Sequence, residues 1–139
     1  MPKYIFEVIN ETAKMSKKED KIRVLREHQS WALKDILRGT YEAKLEWNLP
    51  KGEPPYEACE PHNCPANLIR ENKKFKYFVK GIKESDNLPG FKRERVFLGM
   101  LESVHPEDAK LLIGMINKNK IKGITEAVIE EAFPGLIKK

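Results

Sequence analysis

Apolar residues recur at helical spacing in the first third of the chain. Ile5 and Ile9 are four residues apart, and so are Leu33 and Leu37. Side chains three or four residues apart lie on one face of an α-helix, so each stripe predicts a helix with one buried face. Residues 1–41 are therefore predicted to form a group of N-terminal helices.

Short polar residues mark the predicted ends of these helices. Ser16 and Glu19 have the spacing of a capping box, in which the serine oxygen accepts a hydrogen bond from a free backbone N–H. Ser30 is placed to cap the next helix, and Gly39 is placed to end it in the left-handed conformation that glycine adopts readily. The pattern thus predicts helices that begin at Ser16 and Ser30.

Helical periodicity is lost between residues 42 and 66. This segment contains five prolines and five glutamates, and proline both removes a backbone donor and favours an extended residue before it. A long Pro-rich connecting loop is predicted, with at most a short hairpin around Pro50, Lys51 and Gly52. We expect Trp47 and Tyr56 to tie the loop across the helices. A docking role is the alternative, because Pro-rich segments with aromatic ends recur in recognition.

Helical periodicity returns in residues 67–139. Apolar positions from Leu68 to Ile82 predict one amphipathic helix whose other side is basic. Pro106 is placed in the first turn of a later helix, and Thr125 is placed to cap the last one. This second half is predicted to be a C-terminal helical group.

The length and composition of the chain are typical of one soluble domain. It has 139 residues, of which 40% are hydrophobic and 34% charged. The predicted fold is mainly α, a compact single domain (residues 1–139) of five to seven helices with the long loop. No run approaches the roughly 20 apolar residues that span a bilayer, and the N-terminus lacks the features of a signal peptide. We expect a cytoplasmic protein with no membrane partner.

The net charge of +5 comes entirely from residues 70–95. This stretch contains nine of the 26 Lys and Arg residues and four of the 21 acidic residues, so the remainder of the chain is balanced. Lysine and arginine neutralise phosphates, and exposed aromatic rings stack on bases. The candidate nucleic-acid or anion-binding residues, all basic except one tyrosine, are Arg70, Lys73, Lys74, Lys76, Tyr77, Lys80, Lys83, Lys92, Arg93 and Arg95. Two alternative interpretations of the basic stretch stay open: it binds an acidic protein surface, or it is only a solvated face without a partner.

Cys59, His62 and Cys64 are a weak candidate metal cluster. Zinc accepts thiolate and imidazole ligands in a tetrahedral set, but the spacing here is poor and no second cluster supplies a fourth ligand. Ordinary reduced cysteines are the expected state, in preference to a Cys59–Cys64 disulfide, which agrees with a reducing compartment. We expect neither a metal nor another cofactor.

His105 precedes Glu107 and Asp108, and a histidine beside carboxylates can perform acid–base chemistry. Helix capping is the simpler explanation, because proline and acidic residues belong in a first helical turn. The sequence has no nucleophile elbow, Gly-rich phosphate loop or paired-histidine metal motif. We therefore expect a protein that is not an enzyme.

Several blocks of the sequence resemble a family of small proteins from T4-like tailed bacteriophages, especially those of marine cyanobacteria. The blocks are SWALKDILRG (30–39), WNLPKGEPPY (47–56), KKFKYFVKG (73–81), KRERVFLGMLESVHPEDAKLLIGM (92–115) and KGITEAVIEEAFPGLI (122–137). The resemblance brings no known activity. It implies a phage protein that acts inside the cytoplasm of an infected bacterium.

Charge pattern and resemblance together predict a binding function. The leading hypothesis is a non-enzymatic phage accessory protein that contacts nucleic acid, alone or within replication or transcription machinery. The alternative is a phage modulator that binds and inhibits an acidic host or defence protein, or sequesters an anionic signalling nucleotide.

Overall fold

The computed structural model describes residues 4–137, and this range is built from helices. The first three and the last two residues of the predicted domain lie outside it. The elements are α1 (Ile5–Lys14), α2 (Lys18–Glu27), α3 (Trp31–Tyr41), α4 (Leu68–Glu71), a 3-10 helix (Asn72–Tyr77), α5 (Lys83–Asp86), α6 (Gly90–Ser103), α7 (Pro106–Ile116) and α8 (Glu126–Ala132). The prediction of a mainly helical, multi-helix fold is confirmed, but residues 4–137 form eight α-helices and one 3-10 helix, where five to seven helices were predicted, because the segment from Leu68 to Ile82 divides into short helices.

Helix α7 lies at the centre of the packing. It contacts α1, α3 and α6, while α2 packs between α1 and α8. Leu112 of α7, Leu37 of α3 and Leu101 of α6 are fully buried in one hydrophobic core. Burying side chains of this size contributes about 1.5–3 kcal/mol each, which makes the three-helix contact a main source of stability.

Two predicted caps are present in the structure. Ser30 Oγ accepts a hydrogen bond from Leu33 N at 3.1 Å, and Thr125 Oγ1 accepts one from Val128 N at 3.3 Å. Pro106 occupies the first turn of α7, where its missing N–H costs nothing. These caps are local features, set by residues within one turn of the helix start.

The predicted cap at Ser16 is wrong. Helix α2 begins at Lys18, and its N-cap residue is Lys17, which makes no side-chain capping bond. Glu19 and Asp20 instead lie in the first turn, where their negative charges interact favourably with the positive end of the helix dipole. The helix start is therefore stabilised by charge.

Gly39 does not end α3, as the sequence suggested, but lies inside it. A Cβ at this position would overlap Cζ2 of Trp47 and lie 2.9 Å from Sδ of Met115. The indole N–H of Trp47 also donates to the backbone oxygen of Gly39 at 3.0 Å. The glycine is needed because the connecting loop packs its tryptophan directly on the α3 backbone.

The single amphipathic helix predicted from Leu68 to Ile82 is broken. Helix α4 gives way to the 3-10 helix, which buries Phe75, and Phe78, the residue that caps its C-terminus three positions later, is buried on the same side. Beyond it the backbone leaves the helix and forms an antiparallel bridge between Val79 and Trp47. Lys80 N also donates to the carbonyl of residue 46 at 2.8 Å. Pairing with the connecting loop therefore overrides the helical pattern.

The connecting loop is fastened along its length. Gly52 N donates to Asn117 Oδ1 at 2.7 Å, Asn117 Nδ2 donates to Gly52 O at 3.1 Å, and Glu57 N donates to a carboxylate oxygen of Glu102 at 2.9 Å. Trp47 and Tyr56 are partly buried against the core. Within residues 4–137 no strand forms, so the hairpin considered near Gly52 is absent.

Candidate nucleic-acid interface

The basic stretch lines two depressions, which meet where Lys76 Nζ lies 5.4 Å from the centroid of the Tyr77 ring. Lys73, Lys76 and Lys80 line a groove of about 520 Å³ between the 3-10 helix and α3, which we call the basic groove. Lys74 and Tyr77 line a different depression against α6. Residues three apart eclipse one another in a 3-10 helix, and for that reason Lys73 and Lys76 share a side.

The other walls of the basic groove come from α3 and the connecting loop. They add two cationic side chains, so that five cations face two acids. The cations are Arg38, Lys44, Lys73, Lys76 and Lys80, and the acids are Asp35 and Glu42. The groove is positively charged and has aromatic and aliphatic edges, which suits a ligand with both phosphates and apolar rings.

Both acids of the basic groove are engaged by neighbouring side chains. Asp35 accepts a hydrogen bond from Asn72 Nδ2 at 3.0 Å, and burial raises the pKa of its carboxyl. Glu42 is buried, with Oε2 3.1 Å from Nε of Arg38. The carbonyl oxygen of Glu42 accepts from Lys118 Nζ at 2.8 Å, and burial lowers the pKa of that lysine. The two carboxylates are thus held within the groove wall.

The lysines of the basic groove make only weak interactions with neighbouring side chains. Lys73 and Lys76 are exposed and form no ion pair with any residue that the structure describes, although Lys76 Nζ contacts the face of the Tyr77 ring. Lys80 Nζ lies 3.5 Å from Glu46 Oε2, but both side chains are mostly exposed, and pairs of this kind contribute about 0–1 kcal/mol. An anionic ligand would therefore displace little to reach these ammonium groups.

Arg93 is buried and outside the basic groove, contrary to the exposed position that the sequence prediction gave it. The residue is 9% exposed, and its Nη2 donates to Ser85 O at 2.6 Å and to Leu88 O at 2.7 Å. It bridges the turn between α5 and α6 by donating to both carbonyls, of which Ser85 O also accepts from Leu88 N at 3.1 Å. The hydrophobic pattern missed this role because it assigns every charged residue to solvent.

Four further candidates are exposed but lie outside the described lining of the basic groove. These are Arg70, Lys83, Lys92 and Arg95. Conversely, the sequence prediction missed Trp31, Arg38 and Lys44. Trp31 lies two residues before Leu33, about 200° away around an α-helix, so its position off the apolar stripe was a usable signal.

The two cysteines lie side by side as free thiols. Cys59 Sγ is 3.0 Å from Cys64 Sγ and donates to Val104 O at 2.9 Å. Burial, followed by the contact with Cys59, raises the pKa of the Cys64 thiol to about 11, which disfavours the thiolate that metals and electrophiles require. No three His, Cys, Asp or Glu residues within the described part of the chain converge on a possible metal position.

The residues around His105 act as a helix start. His105 Nδ1 accepts a hydrogen bond from Glu107 N at 3.0 Å, which caps α7. Asp108 is buried and accepts from Phe6 N at 2.9 Å, which joins the start of α7 to α1. Both side chains therefore have structural partners. Burial raises the pKa of the Asp108 carboxyl to about 6.

Replacing Asp108 with asparagine is expected to stabilise the protein by about 1–2 kcal/mol at pH 7.5. The unfolded carboxyl has a pKa of about 3.9, so the folded state holds this proton more tightly and loses stability as pH rises from about 4 to 6. Asparagine is neutral and can still accept from Phe6 N, although the favourable charge at the start of α7 is lost. Urea denaturation at pH 4 and pH 7.5 measures the effect.

The difference in unfolding free energy between Asp108→Asn and the wild type should grow with pH. Comparing the two proteins at each pH cancels the titration of every other group. An Asp108→Asn protein that is less stable than the wild type at pH 7.5 would contradict this interpretation of Asp108. So would a difference in unfolding free energy that is the same at both pH values.

The chain belongs to a family of proteins of unknown function (DUF6433), whose model matches residues 8–122. That span includes the basic groove and helices α2 to α7. Among curated proteins, none matches this chain. No helix in the described range is long and apolar enough to cross a membrane.

Proposed function

We propose that this protein is a non-enzymatic phage accessory protein that binds nucleic acid through the basic groove, alone or within a replication or transcription assembly. The observation that carries the proposal is the convergence of Lys73, Lys76 and Lys80 on one concave surface. Each lysine can neutralise one phosphate and release its condensed counterion, which favours binding without dependence on sequence.

The sequence resemblance to proteins of T4-like phages supports the biological setting. It favours action in the cytoplasm of an infected bacterium, where phage and host nucleic acids are both present. The family assignment itself adds no activity, so the chemistry of the groove is the main argument.

Reversing the charge of Lys73, Lys76 and Lys80 to glutamate is expected to weaken binding of single-stranded DNA at least about tenfold at low salt. All three side chains are exposed, so the far-ultraviolet circular dichroism spectrum should not change. Fluorescence anisotropy with labelled oligothymidylate of about 20 nucleotides measures the affinity.

The matched control reverses Lys14, Lys120 and Lys122, three exposed lysines that do not line the basic groove. It changes the net charge by the same amount, so any general electrostatic effect is equal. Equal losses of affinity in the two triple variants would contradict a specific role for the groove.

A second candidate function is a phage modulator that binds a host protein or an anionic nucleotide. Two exposed apolar side chains favour this function. Trp31 is 73% exposed, Ile82 is 37% exposed, and both line the basic groove. Aromatic anchors beside charges are typical of protein interfaces. A host protein or nucleotide retained by the wild type and lost on reversal of the groove lysines, with no DNA binding, would establish this function instead.

A further inference from the structure

Trp31 is the most exposed large apolar side chain in the described structure. It is 73% accessible, although it is the first residue of a helix whose other face is fully buried. An exposed tryptophan leaves a large apolar surface in water and gains no stabilisation from burial in the core. Packing in the core therefore does not explain why a tryptophan occupies this position.

The indole of Trp31 is positioned by neighbouring charge. Lys34 Nζ lies 5.0 Å from the centroid of the Trp31 ring and 5.3 Å from that of Phe133, a buried residue. An ammonium group at these distances attracts both rings. The contact restrains the indole at the edge of the basic groove and adds a cation beside it.

Nucleic acid offers this tryptophan a chemical partner only when a base is unpaired. In a duplex both faces of a base are covered by its neighbours, whereas in a single strand a base can stack on an exposed aromatic ring. The groove volume of about 520 Å³ lies within the range of sites for small molecules and cofactors, about 300–1,000 Å³. It is thus suited to one or two nucleotides.

We infer that the basic groove takes a single-stranded segment, with an unpaired base stacked on Trp31 and the adjoining phosphates on Lys73, Lys76 and Lys80. This inference rests on the proposed function and deepens it. The lysines supply attraction to any nucleic acid, and the tryptophan supplies the preference for single strands.

Replacing Trp31 with alanine is the direct test. Affinity for oligothymidylate of about 20 nucleotides should fall about 5- to 150-fold, the equivalent of one lost base–aromatic stack. Affinity for a duplex of the same length should stay within about twofold, since the lysines are intact. Trp31→Phe, which keeps an aromatic face, should retain most of the single-strand affinity.

Phe91→Ala provides the matched control. Phe91 is another exposed ring in the first turn of a helix, 63% accessible, but it does not line the groove. Its replacement should leave single-strand affinity within about twofold. Intrinsic fluorescence adds a second readout: oligothymidylate should quench the wild type more strongly than Trp31→Phe, in which only Trp47, a partly buried residue of the groove wall, still emits.

The outcomes separate this inference from the function on which it rests. If neither single strands nor duplex bind the wild type at low salt, the proposed function fails. If both bind equally, and Trp31→Ala changes neither while reversal of the groove lysines abolishes both, the function stands and the single-strand inference is overturned.

Discussion

Replacing Arg93 with methionine is expected to lower the free energy of unfolding by about 2–4 kcal/mol. Methionine can fill much of the buried volume, but it cannot donate to Ser85 O and Leu88 O, which Arg93 bonds at 2.6 and 2.7 Å. Hydrogen bonds from a charged donor contribute about 1.5–3 kcal/mol each. Loss of the buried positive charge offsets part of this sum.

Arg95→Met is the control for this prediction. Arg95 lies two residues further along the same helix and is exposed, so its replacement should change stability by no more than about 0.5 kcal/mol. Chemical denaturation gives both values. If Arg93→Met keeps wild-type stability and instead loses nucleic-acid binding, Arg93 belongs to the interface, as the sequence alone suggested.

Replacing Gly39 with alanine is expected to destabilise the protein by about 2–3 kcal/mol. The new Cβ would overlap the ring of Trp47 and lie 2.9 Å from Sδ of Met115. Trp47 would have to move, which breaks its hydrogen bond to the Gly39 carbonyl and disturbs its edge contact with Phe75. The better helix propensity of alanine recovers up to about 1 kcal/mol of this loss.

Gly99→Ala is the control, because it makes the same substitution at a helix position where no side chain lies close to the new Cβ. Gly99 lies within α6, and a Cβ there would meet no atom within 4 Å. The gain in helix propensity should then stabilise the protein by about 0.5–1 kcal/mol. Opposite signs at the two glycines are expected in thermal denaturation, and a neutral Gly39→Ala would contradict the packing of Trp47.

Features that depend on a few adjacent residues could be predicted from the sequence. The caps at Ser30 and Thr125 and the proline at the start of α7 fall in this class, because each is decided within one helical turn. The apolar stripes also identified the mainly helical fold, since their period belongs to helices. Excess charge pointed to the segment that holds the groove lysines.

Features that depend on distant contacts could not be predicted. The break after the 3-10 helix follows from backbone pairing between Val79 and Trp47, which are 32 positions apart in the chain. The buried position of Arg93 depends on carbonyls exposed by a turn that the residue itself holds. Such partners are set by tertiary structure, and neither propensity nor periodicity contains them.

The groove itself combines both kinds of feature. Lys73 and Lys76 were identified by charge, but the 3-10 geometry decides that they line the basic groove while Lys74 lines the depression against α6. Trp31 could have been identified as an exposed residue from the sequence, because it lies off the apolar stripe of α3. Only the fold, however, brings it beside the lysines. Local charge therefore located the segment, and tertiary structure defined the surface.

Binding of oligothymidylate across a salt series tests the central claim most directly. Three neutralised phosphates predict that the logarithm of the binding constant falls against the logarithm of salt concentration with a slope of about −2. The variant with Lys73, Lys76 and Lys80 reversed should show little binding and almost no slope. Absence of saturable binding by the wild type at tens of micromolar protein and low salt, or an unchanged slope in the variant, would contradict the claim.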